Sequence, residues 1–274
     1  MALPTGDDLV IGALHLPPFP GTQQRQSWSL AAIEEFAVAN ARAFADGGIP
    51  SIYIQEATTG GPMKRTSPRT VAYMTRVGRA VRSVFPGLLG VLVDAPDAEA
   101  PVVIAHAIDA QFVRLKVYVG AMIKAEGIVQ GCAHEAIRAR ERVGANEVAL
   151  IADVYDRTGA PLGDASIEEA ATWAAKFGSA DALVLTGQRF EESVRLVERV
   201  REQRLGVPLL IGGSITGSNI GEALLVADGV IVSTWLKKEA ADPQDVVIWD
   251  IARMKALMAA QATSRSSPNV MTEG

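Results

Sequence analysis

Short, β-branched apolar runs alternate along this chain with longer stretches of helical period, and that alternation predicts a parallel sheet covered by helices. The runs are Leu9 to His15, Ser51 to Glu56, Leu88 to Asp94, Gln111 to Val117, Glu147 to Asp153, Asp181 to Thr186, Val207 to Gly213 and Asp228 to Ser233. Each has the length and near-continuous hydrophobicity of a strand buried on both faces. Eight such units predict a single-domain α/β protein, a (β/α)8 TIM barrel. In the first helical stretch Ile33, Phe36, Ala37, Ala41 and Phe44 share one face, and Gly47-Gly48 stops it. Ser166 with Glu169 reads as a capping box opening the fifth helix, and Thr216 as the cap of the seventh. The last helix is expected from about Gln244, with Val247, Ile251, Met254 and Met258 on one stripe. The expected barrel spans residues 1–262, and the Ser/Thr/Asn-rich residues 263–274 read as a disordered tail. Two connections, Ala57 to Pro68 and Tyr118 to Gly131, are long and follow strand C-termini, where lids and substrate clamps sit.

Composition narrows the function classes. The 274 residues suit one barrel, and 49% hydrophobic residues can fill its core. A net charge of −5 and a pI near 5.3, without a Lys/Arg run, give no footprint for nucleic acid or an anionic membrane. Small metabolites are the expected partners. The single cysteine, Cys132, has no internal disulfide partner, and Asp7 and Asp8 stand where a signal peptide carries positive charge. With no apolar run of the roughly 18 residues that span a bilayer, the chain reads as soluble and cytoplasmic.

Strand C-termini aim their last polar side chains into a barrel's mouth, which here nominates His15, Glu56, Asp94, Lys116, Asp153 and Thr186. Glu56, Asp94, Lys116 and Asp153 are the catalytic candidates. Any one of them is equally a helix cap or a rim ion pair; a nearly complete ring is harder to dismiss. Arg114 and Lys116 lie two apart and share a face, so both are expected to point inward, with Asp94 and Asp153 as counterions. A buried ion-pair network is as good a reading of Arg114 as substrate binding. Lys116 suits a Schiff-base nucleophile or a charge clamp. Glu56, Asp94 and Asp153 could alternatively hold a divalent cation such as Mg²⁺, whereas one Cys and three scattered His do not make a zinc site. His106 and His134 read as structural or surface residues. Gly212, Gly213 and Ser214, ahead of a helix start, with Ser233 and Thr234 closing from the eighth strand, suit a phosphate cradle. Lys237 and Lys238 would add charge to it or simply be solvated.

These motifs resemble the BtpA/SgcQ family. The matching segments are Ile11 to Gly21, Phe112 to Met122, Glu126 to Gly131, Ile151 to Val154, Ala180 to Gly187 and Ala227 to Ser233, with Lys237-Lys238. The resemblance covers roughly residues 9 to 258 and implies a TIM barrel, a role in photosystem I assembly for the family's namesake, and sugar or nucleoside metabolism for relatives. The chain departs from the family's pattern at Gln55 to Gly60, at Asp94 to Asp97, at Lys116 and at Val154 to Arg157. The departures cluster at the barrel mouth while the phosphate end is kept, implying the same anchor with a different substrate head or chemistry, or a decayed, non-catalytic member.

Two functions are therefore expected. One is an enzyme acting on a phosphorylated sugar or nucleoside-like molecule by isomerisation, aldol cleavage or glycosidic cleavage. The other is a non-catalytic assembly or binding protein, which predicts a large exposed apolar patch, with Trp28 or Trp235 serving it. A homo-oligomer is expected in either case.

Overall fold

A computed structural model describes residue 3 and residues 9–20, 28–56, 65–238 and 248–266. The elements run β1 (Leu9–His15), α1 (Leu30–Asp46), β2 (Ser51–Gln55), α2 (Pro68–Arg82), β3 (Leu88–Leu92), α3 (Glu99–Ala107), β4 (Phe112–Leu115), β5 (Ala121–Lys124), β6 (Gly127–Gln130) and α4 (Ala133–Val143). After them come β7 (Ala149–Asp153), β8 (Ala160–Pro161), α5 (Ile167–Thr172), β9 (Ala182–Leu185), α6 (Phe190–Arg201), β10 (Leu209–Gly212), α7 (Ile220–Val226), β11 (Gly229–Val232) and α8 (Ile251–Ser266). Eight of the strands close into a parallel barrel in the order β1-β11-β10-β9-β7-β4-β3-β2. The predicted TIM barrel is the observed fold.

The period-2 alternation of the strands divides the core in two. Ile11, Ala13, Tyr53, Leu92, Phe112, Ile151, Val184, Leu210 and Ile231 fill the barrel's interior. Residues of opposite parity, such as Leu14, Ile52, Val113, Leu150 and Leu183, pack outward against the helices. Helix α1 buries Ile33, Ala37, Ala41 and Phe44, and Ser29 caps it by accepting from the N–H of Ala32 at 3.1 Å. Phe36, expected on the same buried face, is half-buried and stacks edge-on against Trp28. The predicted capping box of α5 is present, with Ser166 and Glu169 each accepting from the other's backbone N–H. Among the described residues no helix is long and apolar enough to cross a membrane.

The sequence misleads in four places. The stretch Tyr118 to Gly131, read as an irregular loop, contains the antiparallel hairpin β5–β6, onto which β8 adds a third strand. Met122 and Val129 turn inward from this small sheet and pack with Val117, while Ile123, Ile128 and Leu162 are exposed. Thr216 does not cap α7: the helix starts at Ile220 after Asn219, whose Oδ1 accepts the N–H of Thr216 at 2.8 Å. Several strands end a residue or two before the runs expected, because hydrophobic continuity outlasts ladder pairing. Helix α8 continues to Ser266, beyond the boundary placed at Ala262. Nor does α8 start near Gln244: Ile248 to Asp250 are not helical, Trp249 bridging Lys237, and the helix begins at Ile251. The other expectations for Ala57 to Lys64, for Val247 and for the tail after Ser266 lie outside the described residues.

Candidate functional site

The barrel's inward parity runs straight on into its mouth. Beyond the interior layer, the same alternation presents His15 on β1, Gln55 on β2, Arg114 and Lys116 on and after β4, Asp153 on β7, Thr186 after β9, Gly212 on β10 and Ser233 after β11. All of these line one open cleft of about 580 Å³ at the C-terminal end of the barrel, a volume within the usual range for small-molecule sites. Thr234, Gly213 and Ser214 border it, as do three residues not singled out from strand ends: Tyr53, Asp156 and Arg157.

Glu56 is one residue out of step with Tyr53 and Gln55 and therefore points away from the cleft. It is buried, and its Oε1 accepts the backbone N–H of Asp94 at 3.0 Å. Its place at the mouth is taken by Gln55. Burial, with the nearby Asp94 charge, pushes the Glu56 carboxyl up to about 7 despite the N–H it accepts. Between the unfolded value of 4.5 and this one the native state holds more proton than the unfolded chain. Glu56 therefore favours the fold below pH 4.5, and that contribution is lost as pH rises through 7. Glu56→Gln, which keeps the acceptor for Asp94, is expected to flatten the fall by about 3 kcal/mol. Urea titrations of both proteins at pH 5 and pH 8 check this.

The counterions expected for the two strand-four cations are the ones observed. Arg114 donates from Nε and Nη2 to the two oxygens of Asp153, both at 2.9 Å, and from Nη1 to Tyr53 Oη at 2.9 Å. Burial works to lower the Arg114 pKa, but Asp153 and Tyr53 outweigh it and the net direction is up. Lys116 Nζ donates to Asp94 Oδ1 at 2.6 Å. That pair also borders a small recess shared with Lys124, Glu126 and Cys132.

This donor set does not fit a divalent cation. Both Asp153 oxygens are taken by a guanidinium, one Asp94 oxygen by an ammonium, and Glu56 is turned to a backbone amide. Among the described residues no group of three His, Cys, Asp or Glu is placed to hold a metal.

At the opposite side of the cleft the chain bends sharply after β10, where Gly213 and Ser214 both have positive φ, 82° and 59°. Gly212 is required by close approach, since a Cβ there would lie 2.3 Å from Thr186 Oγ1. That hydroxyl is buried and has no hydrogen-bond partner among the described residues. Ser233 and Thr234 open a single 3₁₀ turn across from it. Two cations reach this end. The Arg157 guanidinium is held over the bend, 3.3 Å from where a Gly213 Cβ would stand. Lys237 Nζ lies 3.4 Å from His15 Nδ1 and over the Trp249 ring. Burial first, then the charges of Lys237, Lys116 and Arg114, lower the His15 pKa to about 4, so its ring is neutral and accepts from Lys237. Neither Arg157 nor Lys237 has a carboxylate partner among the described residues.

The small sheet fixes Arg157. Lys124 on β5 donates to Asp156 Oδ2 at 2.7 Å, Asp156 Oδ1 accepts from the N–H of Thr158, and Gln188 Nε2 donates to the carbonyl of Arg157 at 2.9 Å. Those bonds to Lys124 and Thr158 hold Asp156 below the ordinary carboxylate range although burial opposes them. Nothing in strand periodicity announces Arg157, four positions past Asp153 in a connecting loop; the signals are its charged neighbours in sequence and its place in Val154 to Arg157, where the chain departs from the family's pattern.

A family model described as the BtpA family matches residues 7–263. The photosystem I biogenesis protein BtpA of Synechocystis sp. is 33% identical over 242 residues, which is 85% of this chain and 84% of that protein. An uncharacterised protein of Pyrococcus furiosus is 29% identical over 231 residues, 84% and 86% of the two chains. Among solved structures, ligand-free tryptophan synthase from M. tuberculosis superposes with a TM-score of 0.59 at 16% identity, over 94% of this chain and 93% of that one. N-(5'-phosphoribosyl)anthranilate isomerase from Pyrococcus furiosus gives 0.52 at 12% identity, over 93% and 99%. At such identities the likeness is one of fold.

Proposed function

The chain belongs to the BtpA family, and we propose that it is an enzyme of carbohydrate or nucleoside metabolism whose phosphorylated small-molecule substrate lies in the cleft at the C-terminal face of the barrel. One observation carries this reading: Arg157 and Lys237, two cations without carboxylate partners among the described residues, border the same cleft as the bend at Gly213–Ser214 and the turn at Ser233–Thr234. A bend of this kind forms concavities that hold anions, and a phosphoryl group would supply the missing negative charge. The paired groups Lys116–Asp94 and Arg114–Asp153 then face the rest of the substrate. Lys116 with Asp94 suits proton transfer, and Arg114, locked by Asp153 and Tyr53, suits binding a substrate oxygen. This arrangement serves isomerisation, aldol cleavage or glycosidic cleavage.

Titration of the intact protein with inorganic phosphate, followed by its thermal midpoint, tests the anchor. Phosphate at about a hundredfold its dissociation constant should stabilise the fold by about 2.7 kcal/mol, an upward shift of about 5–10 °C for a chain of this size. No shift with phosphate or any phosphate ester would overturn the reading.

An assembly role, named for the Synechocystis relative, has one observation in its favour. Ile123, Ile128 and Leu162, 50%, 65% and 50% exposed, stand on one face of the small sheet. The ordered, charged mouth is not what a bare scaffold requires.

A further inference from the structure

The charge balance of the cleft goes beyond the presence of a phosphate anchor, on which this inference rests. The carboxylates that line the described part of the cleft, or pair with the cations lining it, are matched: Asp153 by Arg114, Asp94 by Lys116, and Asp156 by Lys124, while Glu56 is turned away from the cleft onto a backbone amide. His15 adds no charge, because its Nδ1 is turned to Lys237. What remains is Arg157 and Lys237, and both stand at the phosphate end. A phosphate monoester carries close to two negative charges at neutral pH, so one phosphoryl group neutralises the surplus.

Away from that end, the groups that are not already paired are uncharged. Gln55 offers an amide there, and Thr186 and Ser233, bordering the phosphate end, offer hydroxyls, with Thr186 Oγ1 buried and without a partner among the described residues. A second phosphate or a carboxylate placed there would meet Asp153 and Asp94 with their countercharges already committed. It would have to break a short ion pair or remain desolvated and unmatched, and either course is costly. A polyhydroxylated remainder meets neither obstacle.

We infer that the cleft selects a monophosphate ester whose remainder is uncharged and rich in hydroxyls, a neutral sugar monophosphate, and discriminates against sugar bisphosphates and phosphorylated sugar acids.

The test uses two matched pairs of probes on the intact protein, with inorganic phosphate as reference: glucose 6-phosphate against 6-phosphogluconate, and fructose 6-phosphate against fructose 1,6-bisphosphate. Dissociation constants are measured by calorimetry at pH 7.5 and constant ionic strength. Within each pair the added anionic group is expected to weaken binding at least tenfold. Equal or tighter binding of the acid or the bisphosphate overturns the inference while leaving the phosphate anchor standing. Binding of inorganic phosphate without any gain from either neutral sugar also overturns it, since the cleft then does not read the remainder. Failure of every phosphate to bind removes the anchor itself, and the inference with it. A loss confined to 6-phosphogluconate, with the bisphosphate still bound tightly, likewise counts against it.

Discussion

Asp153→Asn is expected to lower the free energy of unfolding by about 3–5 kcal/mol, although it removes no volume from the core. The carboxylate is 4% exposed as a side chain, and both its oxygens accept from Arg114. An asparagine keeps one acceptor and brings an NH₂ to face the guanidinium, so a donor meets a donor. Arg114 would then sit among Phe112, Ile151 and Val184, the interior layer directly below, with its charge uncompensated. It is the unmatched buried charge, rather than loss of the pair as such, that destabilises. Arg114→Met combined with Asp153→Leu removes both charges, and that double variant should recover most of the loss. Urea unfolding followed by circular dichroism gives the three values. An Asp153→Asn protein within 1 kcal/mol of the native one would show that water reaches Arg114 from the cleft well enough to replace its partner.

The same pair shows what a sequence reveals here and where it stops. Arg114 and Lys116 share a parity, and an inward Lys116 carries Arg114 with it; the expected partners Asp94 and Asp153 follow from strand adjacency in a barrel. Parity also exposes the misassignment of Glu56. Taking the last polar residue of an apolar run as the mouth residue ignores the alternation that places Gln55, not Glu56, in line with Tyr53. Tyr53 is hidden from a reading of strand ends because it lies mid-strand, one layer below them. The hairpin β5–β6 is hidden from sequence periodicity for another reason. Its strands are short, Ala121–Lys124 and Gly127–Gln130, and are supported by pairing to each other and to β8 rather than by a long apolar run. Lys124, Asp156 and Arg157 became a functional unit only through that tertiary pairing, which no local period encodes.

Arg157→Ala is expected to weaken binding of inorganic phosphate about 10–100-fold. A charge-assisted hydrogen bond to an anion contributes about 1.5–3 kcal/mol, and each 1.4 kcal/mol is a factor of ten. Arg157 is exposed at the cleft rim, and its loop is held through its backbone carbonyl and through Asp156. The truncation should therefore leave the thermal midpoint of the unliganded protein within about a degree of the native value, as surface changes with little packing do. Arg157→Lys, which keeps a charge but loses the planar fork, should fall between the two. Lys237→Met is the informative contrast. Lys237 packs over Trp249 and donates to His15, so its loss should weaken phosphate binding and also raise the His15 pKa from about 4, since Lys237 ranks after burial among the causes that depress it. Calorimetry with phosphate reads the affinities, and an NMR titration of the His15 ring reads the second effect. If Arg157→Ala binds phosphate as the native protein does, the guanidinium over Gly213 is a solvated rim charge, and the anion must be held elsewhere in the mouth. If the affinity falls while His15 titrates unchanged, Arg157 belongs to the anchor without belonging to the His15–Lys237 couple.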